Sequence, residues 1–484
     1  MFADENVIKV KHEILYEVAK LAFAGELEEK KGDLPYKLHP GPKPDYRCCI
    51  YREREIARER IELALGRTLT GNADNIIQVI RSACEDCPIS SYTVTENCQN
   101  CMGKACINAC KFGAVEAGRD RSHIDAQKCK ECGRCAASCP YNAIAHLVRP
   151  CKNSCPVGAI SYDEDGISVI DEEKCIRCGK CIHSCPFGAI GSKTFIVDVI
   201  EALKSDKKVF AIAAPASEGM FGADRGFASW DKAMKKLGFD GFYEVGLGAD
   251  MTAYAEAKEW LEAFKNGDKK VTSCCPAFVN FVKRHFPELE GMISHTVSPM
   301  CATSRMIKRD NPGAIVVFIG PCIAKKSEVV DEKIEGNADY VLTYSEIRAI
   351  MRARDIRLEP CDDKFDQQAS VFGKRFGNAG GVTAAVLESM KELGCEETPE
   401  VFKADGIEEC KKALLLMKAG RLPENFIEGM VCEGGCVGGP SAYSKEVSAK
   451  KSRDEMIAKA DSRRIDENLK GFGADSIGMK KANQ

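Results

Sequence analysis

No apolar run in this 484-residue chain reaches the ~20 residues that a bilayer-spanning helix requires. The opening stretch, MFADENVIKVKHEIL, lacks the apolar core of a secretory signal. Together these exclude a membrane role and make the cytoplasm the expected location. Charge of one sign is also lacking. Lys and Arg number 69 against 72 Asp and Glu, a formal net charge of -3, so there is no overall basic field of the kind that gathers nucleic acid. No nucleotide or flavin fingerprint follows any predicted strand. The Gly-rich stretch GNAGG from Gly377 is too short for a phosphate loop, which leaves cluster packing or a tight turn as its use.

Cysteine, by contrast, is abundant. There are 27, and in a chain expected to be cytoplasmic, metal ligation is the stronger reading and a disulfide framework the weaker one. Only Cys48 and Cys49 precede residue 82, sixteen cysteines lie between Cys84 and Cys185, and nine follow from Cys274 onward. This uneven distribution divides the chain into three regions, which agrees with a prior of about 150 residues per domain. Residues 1–80 read as an N-terminal helical segment. VIKVKHEILYEVAKLAFAG has helical apolar spacing, YREREIARERIELALG sets charges three and four apart, and the Pro-rich PYKLHPGPKPDYR between them is a loop. A solvated packing or docking layer is expected there. Cys48 and Cys49 are adjacent, a poor chelate geometry, and are assigned a structural or incidental use.

Residues 81–195 carry repeats. CKECGRCAASCP (Cys129, Cys132, Cys135, Cys139) and CIRCGKCIHSCP (Cys175, Cys178, Cys181, Cys185) are both the bacterial ferredoxin run, in which three thiolates hold one [4Fe-4S] cube and the fourth reaches to another. A longer variant, CQNCMGKACINAC, supplies Cys98, Cys101, Cys106 and Cys110. Exchange of the fourth ligand then predicts one cube on Cys98, Cys101, Cys106 and Cys139, and a second on Cys129, Cys132, Cys135 and Cys110. The remaining run takes Cys155 from CKNSCP, giving a third cube on Cys175, Cys178, Cys181 and Cys155. For the last four cysteines two readings stand. Either Cys84 and Cys87 of CEDC join Cys151 and Cys185 around a fourth cube, one ferredoxin-like α+β fold being inserted into a loop of another, or CEDC is a remnant and Cys151 and Cys185 are buried thiols. Several cubes in a row make physical sense as an electron wire.

Residues 196–484 change pattern. VFAIAAP, GFYEVGLGADM, KVTSCCPAF, AIVVFIGPC and DYVLTYS are apolar strands followed by helical stretches, which predicts an α/β domain with parallel sheets whose ligands sit beyond the carboxyl ends of the strands. Cys274, Cys275 and Cys322 fall at such ends, and Cys432 and Cys436 lie in a Gly-rich loop. Thiolates are soft metal ligands, and glycine lets a backbone come close to a bulky group.

Three stretches, TSCCPAF from Thr272, GPCIAKKSE from Gly320 and EGMVCEGGCVGG from Glu428, resemble in identity and order the active-site signatures of [FeFe]-hydrogenases. With the ferredoxin runs, the resemblance covers roughly residues 84–440 and leaves the N-terminal segment and the tail unexplained. It implies that 196–484 is a catalytic domain with parallel sheets around a buried metal cluster, the H-cluster. Cys275, Cys322, Cys432 and Cys436 would hold its [4Fe-4S] cube, and Cys436 would bridge to a diiron subcluster carrying CO, cyanide and azadithiolate. Lys325 matches the residue that hydrogen-bonds one cyanide. Ala214 and Pro215 match a backbone contact to the other, and Met430 packs beside the irons. Cys274 matches the proton donor, while Glu256, Ser294 and Glu259 match the relay that feeds it. Two glutamates three apart on a helix are otherwise an ordinary solvated face. Phe278 stands where the common motif has Trp and Gly320 where it has Met, and the Gly-rich loop runs into Pro440, as in the divergent branch called group B. Cys301 is expected at the same cavity, and Cys361, Cys395 and Cys410 as buried hydrophobes.

The resemblance implies reversible interconversion of H2 with protons and electrons, three to four accessory [4Fe-4S] clusters, a soluble ferredoxin as partner and maturation enzymes that install the diiron unit. Two other readings remain. One is a hydrogen-sensing protein, for which no signalling module is visible. The other is a hydrogenase-like iron–sulfur assembly or electron-transfer protein without a diiron site, which would have no evident need for Cys436, Lys325 and the relay.

Overall fold

The computed structural model describes residues 5–69, 75–84, 87, 91–361, 365–444 and 446–481. Helices α1 (Glu5–Ala24) and α2 (Ile50–Ala64) form where the apolar and charge spacing predicts them. They are more than a solvated layer. Ile14, Val18 and Ala19 of α1 and Ile61 and Ala64 of α2 share one core with Ile196, Val199, Val209 and Ala211 of the C-terminal domain. Lys11 Nζ and an Arg60 guanidinium nitrogen donate to the carbonyls of Ile190 and Phe187, at 3.2 and 3.1 Å, tying the segment to the cysteine-rich region.

That region contains one small fold nested in another. Ile77–Val79 pairs antiparallel with Ile190–Ser192, and Ile160–Tyr162 pairs with Ser168–Ile170. Within the interval they leave, Ser91–Val94 pairs with Ile144–Leu147 and Val115–Glu116 with His123–Ile124. The outer pairing begins at Ile77, a few residues before the boundary expected at 81. It closes over the inserted unit, as the insertion reading requires.

The C-terminal domain has two parallel sheets. Its strands are β1 (Val209–Ala213), β2 (Gly241–Glu244), β3 (Lys270–Val271), β4 (Ile315–Ile319), β5 (Tyr340–Leu342), β6 (Val401–Asp405) and β7 (Phe426–Met430). The first sheet runs in the order β2-β1-β4-β5 and the second β3-β7-β6. VFAIA and IVVFI are almost wholly buried, as suits central parallel strands covered on both faces. The fold class agrees with the sequence reading, but β6 and β7 were not among the predicted strands. FIEGM carries a glutamate and a glycine where β propensity expects neither, and Glu428 is accommodated because its carboxylate accepts the N–H groups of Gly380 and Thr383, both at 2.9 Å. Helix α3 (Val245–Asn266) starts directly from β2, α4 (Pro276–His285) follows Cys275, α5 (Pro299–Asp310) packs across α3, and α6 (Glu446–Ile457) belongs to the tail. Among the described residues no helix is long and apolar enough to cross a membrane.

Candidate active site

Both sheets aim their carboxyl ends at one cavity. Ala214 and Pro215 enter its wall just beyond β1, Cys274 and Cys275 beyond β3, Cys322 beyond β4, and Met430, Cys432 and Cys436 at or beyond the end of β7. Lys325 completes the wall as its one Lys or Arg among the lining residues, and Val245, Phe318 and Phe376 supply apolar surface. Residues more than 200 positions apart thus meet here because parallel strands end side by side.

Electrostatically the cavity is a nest of thiols. Burial pushes Cys322 up to about 12 and Cys436 up to about 11, and holds Cys274 and Cys432 well above the ordinary thiol range; the neighbouring sulfurs add to each shift. A coordinated metal reverses this, because it deprotonates its thiol outright. No three of these sulfurs lie within 4.8 Å of one another among the described residues. A single tetrahedral ion, with metal–sulfur bonds of about 2.3 Å, would draw them closer. The donor set therefore fits a polynuclear iron–sulfur group better than one ion.

The Gly-rich loop is shaped for that closeness. Gly435 has φ +78°, and a Cβ there would lie 2.5 Å from the Gly377 carbonyl oxygen and 2.7 Å from the Ala379 nitrogen. Cys436 N–H donates to the same Gly377 carbonyl at 2.8 Å. GNAGG is accordingly a packing partner of the cysteine loop.

Lys325 donates to Glu328 Oε2 at 2.6 Å and sits 3.5 Å from the Cys274 carbonyl, and Ser298 Oγ donates to the other Glu328 oxygen at 2.5 Å. Burial works against the ammonium, but the Glu328 carboxylate outweighs it and raises the lysine's pKa, so the charge persists. Glu256, on α3, is fully buried; its carboxyl oxygens make no hydrogen bond of good geometry, although the Ser294 hydroxyl and the Ser273 backbone lie close enough to favour its charged form. Burial first, and then the nearby Glu259, push it up to about 8. Ser294 lies beside it but gives its hydroxyl to Glu259 Oε2 at 2.7 Å. Glu259, its side chain 18% exposed and 3.0 Å from Lys270 Nζ, lines an outer cavity with Lys258, Glu262 and His295. Cys274, Glu256, Ser294 and Glu259 thus run in order from the inner cavity to the outer one.

Three expectations are corrected. Ala214 N–H is committed to the Ile319 carbonyl at 2.8 Å and Pro215 has no N–H, so neither is a backbone donor into the cavity; they form wall. Cys301 is fully buried but is not among the lining residues, its sulfur facing the Glu335 carbonyl at 3.9 Å. Cys410 is buried as expected, whereas Cys361 and Cys395 are only half-buried. The departures at Phe278 and Gly320 have local causes. The Phe278 ring would lie 2.4 Å from a Cβ on Gly429, and Phe318 and Ala214 fill the space beside Gly320, at 2.8 and 3.0 Å from a Cβ there.

One residue escaped the sequence reading, and the reach of a second, the expected cluster ligand Cys178, was not foreseen. Arg453, buried on α6, donates to the Pro215 carbonyl at 3.1 Å and also to Asn378 Oδ1 and the Lys374 carbonyl, clamping two walls of the cavity from the tail. Cys178 reaches the cavity itself. Gly179, at φ +79°, lets the run approach, since a Cβ there would lie 2.7 Å from Ile323 and 3.4 Å from Pro440. No motif marks Arg453, but the glycine inside CIRCGKC is a visible cue for close approach.

In the nested region, Cys175, Cys178 and Cys181 each sense Cys155, and Cys87 senses Cys185, Cys151 and Cys84. These eight cysteines of the outer fold thus lie near one another, Cys181 being close to Cys151 as well. In the inner fold, Cys135 senses Cys129 and Cys110, while Cys98, Cys106 and Cys139 pack around Val94, Val115 and Ile144.

Residues 207–440 match the model of the iron-only hydrogenase large subunit, C-terminal domain, and residues 121–144 and 168–191 match 4Fe-4S binding domains. The chain is a divergent [FeFe]-hydrogenase-like protein. The NADP-reducing hydrogenase subunit HndD of Solidesulfovibrio fructosivorans is 29% identical over 322 residues, 54% of this chain and 55% of its own length. Iron hydrogenase 1 of Clostridium pasteurianum is 29% identical over 396 residues, 70% of this chain and 68% of its own. The human nuclear prelamin A recognition factor, not named as a hydrogenase, is 24% identical over 257 residues, 43% of this chain and 56% of its own. The chain thus spans only a little over half the length of the first of these. Its two matches to 4Fe-4S binding domains mark it as an iron–sulfur protein.

Proposed function

We propose that the chain is an [FeFe]-hydrogenase that interconverts H2 with two protons and two electrons. Cys275, Cys322, Cys432 and Cys436 would hold the H-cluster, Cys436 also anchoring its diiron part, and Met430 would line its site. When bound, this group supplies the hydrogen chemistry. The residues around it bind, orient and move protons. Lys325, kept charged by Glu328, offers a charge-assisted hydrogen bond to an anionic ligand such as cyanide. Cys274 would hold the proton nearest that group, and Glu256, Ser294 and Glu259 would pass it to the outer cavity. The observation that carries this reading is the fully buried Glu256 between Cys274 and the Ser294–Glu259 pair. A cluster carrier without proton chemistry has no use for an uncompensated carboxyl group at that depth. Cys155, Cys175, Cys178 and Cys181 would hold the cube nearest the cavity, which would pass on electrons from a soluble ferredoxin in the cytoplasm, and dedicated maturation enzymes would install the diiron unit.

The test is an anaerobic infrared spectrum of protein co-expressed with maturation enzymes, in the window of metal-bound CO and cyanide. Sharp bands are expected, retained in Cys274→Ser while turnover falls at least ~100-fold, the scale of a lost proton donor. Absent bands beside a full iron count would favour the assembly or electron-transfer reading.

A further inference from the structure

The Pro-rich loop before α2 gathers a second donor set, distinct from the cluster cysteines. His39 Nδ1 and one carboxylate oxygen each from Asp45 and Glu53 lie within 4.8 Å of one another, the one such group among the described residues. Nδ1 is 3.5 Å from Asp45 Oδ2 and 3.5 Å from Glu53 Oε2. The His39 side chain is 8% exposed, and its Nδ1 is shielded from solvent with no hydrogen-bond partner. Glu53, 2% exposed at its side chain, is held in place by the N–H groups of Asp45 at 2.9 Å, Arg47 at 2.7 Å and Tyr46. Asp45, at 59%, opens the group to solvent.

We propose that His39, Asp45 and Glu53 bind one divalent transition cation of the zinc class. An imidazole with two carboxylates is a donor set such ions accept, and an ion would use the lone pair that the buried Nδ1 otherwise leaves unmet. Two carboxylates balance its charge, and water from the Asp45 side completes its shell. The ion pins the loop to the first turn of α2, whose apolar residues belong to the core beneath the cavity. The competing arrangement is a metal-free imidazolium between the two acids.

The test uses full-length holoprotein, prepared anaerobically with its iron complete so that cluster thiols are unavailable, and zinc ions alone as probe. One zinc per chain is expected, with a nitrogen and oxygen shell at about 2.0–2.1 Å in zinc-edge X-ray absorption. Affinity falls at least tenfold in His39→Gln and in Asp45→Asn, the latter at an exposed position that leaves folding intact, and is unchanged in Cys48→Ser. Absence of bound zinc, equal affinity in both loop variants, or a sulfur shell at about 2.3 Å would overturn the proposal.

Discussion

At the scale of single residues the decisive group is Glu256. Its carboxyl is raised from 4.5 to about 8 by burial and by Glu259, so across that window the folded chain keeps a proton that the unfolded chain has lost. The residue's contribution to stability therefore falls as pH rises, by at most about 1.4 kcal/mol per pH unit. Glu256→Gln removes this slope, and its amide oxygen can still accept from Ser294 or the Ser273 backbone. The melting temperature of the variant minus that of the parent is expected to increase between about pH 5 and about pH 8, while turnover drops about 100-fold. A flat difference with normal turnover would take Glu256 out of both the relay and the titration.

At the scale of elements, the cavity depends on two glycine loops in contact. A methyl at Gly435 meets the Gly377 carbonyl and imposes side-chain sterics on a left-handed residue, a conformation that alone costs roughly 1–2 kcal/mol. Gly435→Ala is expected to abolish the CO and cyanide bands while the accessory clusters, housed in the nested region, keep their iron. Visible absorption and an iron count on the same sample separate the two. Helix α6 acts on the same contact from behind, through the bonds of Arg453 to Pro215, Asn378 and Lys374.

At the scale of the whole molecule, nesting one ferredoxin-like fold in another orders the cysteine groups. The group with Cys178 touches the cavity, and Cys151 and Cys185 join Cys84 and Cys87 in the outer fold. The double variant Cys84→Ser/Cys87→Ser is expected to lose about four irons, one cube, and to keep the infrared bands of the cavity. An unchanged count would return CEDC to the status of a remnant.

Much of the site was legible because its chemistry is encoded locally. The ferredoxin runs and the alternation of apolar strands with helices follow from spacing along the chain, the three cysteine motifs from their resemblance to a known family, and the structure brings cysteines of all three motifs to one cavity. Interactions across the fold left no such trace. That Glu256 is fully buried beside Glu259, that Ala214 has already spent its N–H on Ile319, that Arg453 reaches back from the tail and that His39 meets Glu53 depend on which strands pair and which loops pack. Sequence by itself determined the donor types and the class of fold, because ligand spacing and hydrophobic period are properties of short segments. Tertiary structure alone decided which donors share a cavity and which charges are buried, because desolvation and hydrogen bonding depend on neighbours that lie hundreds of residues away.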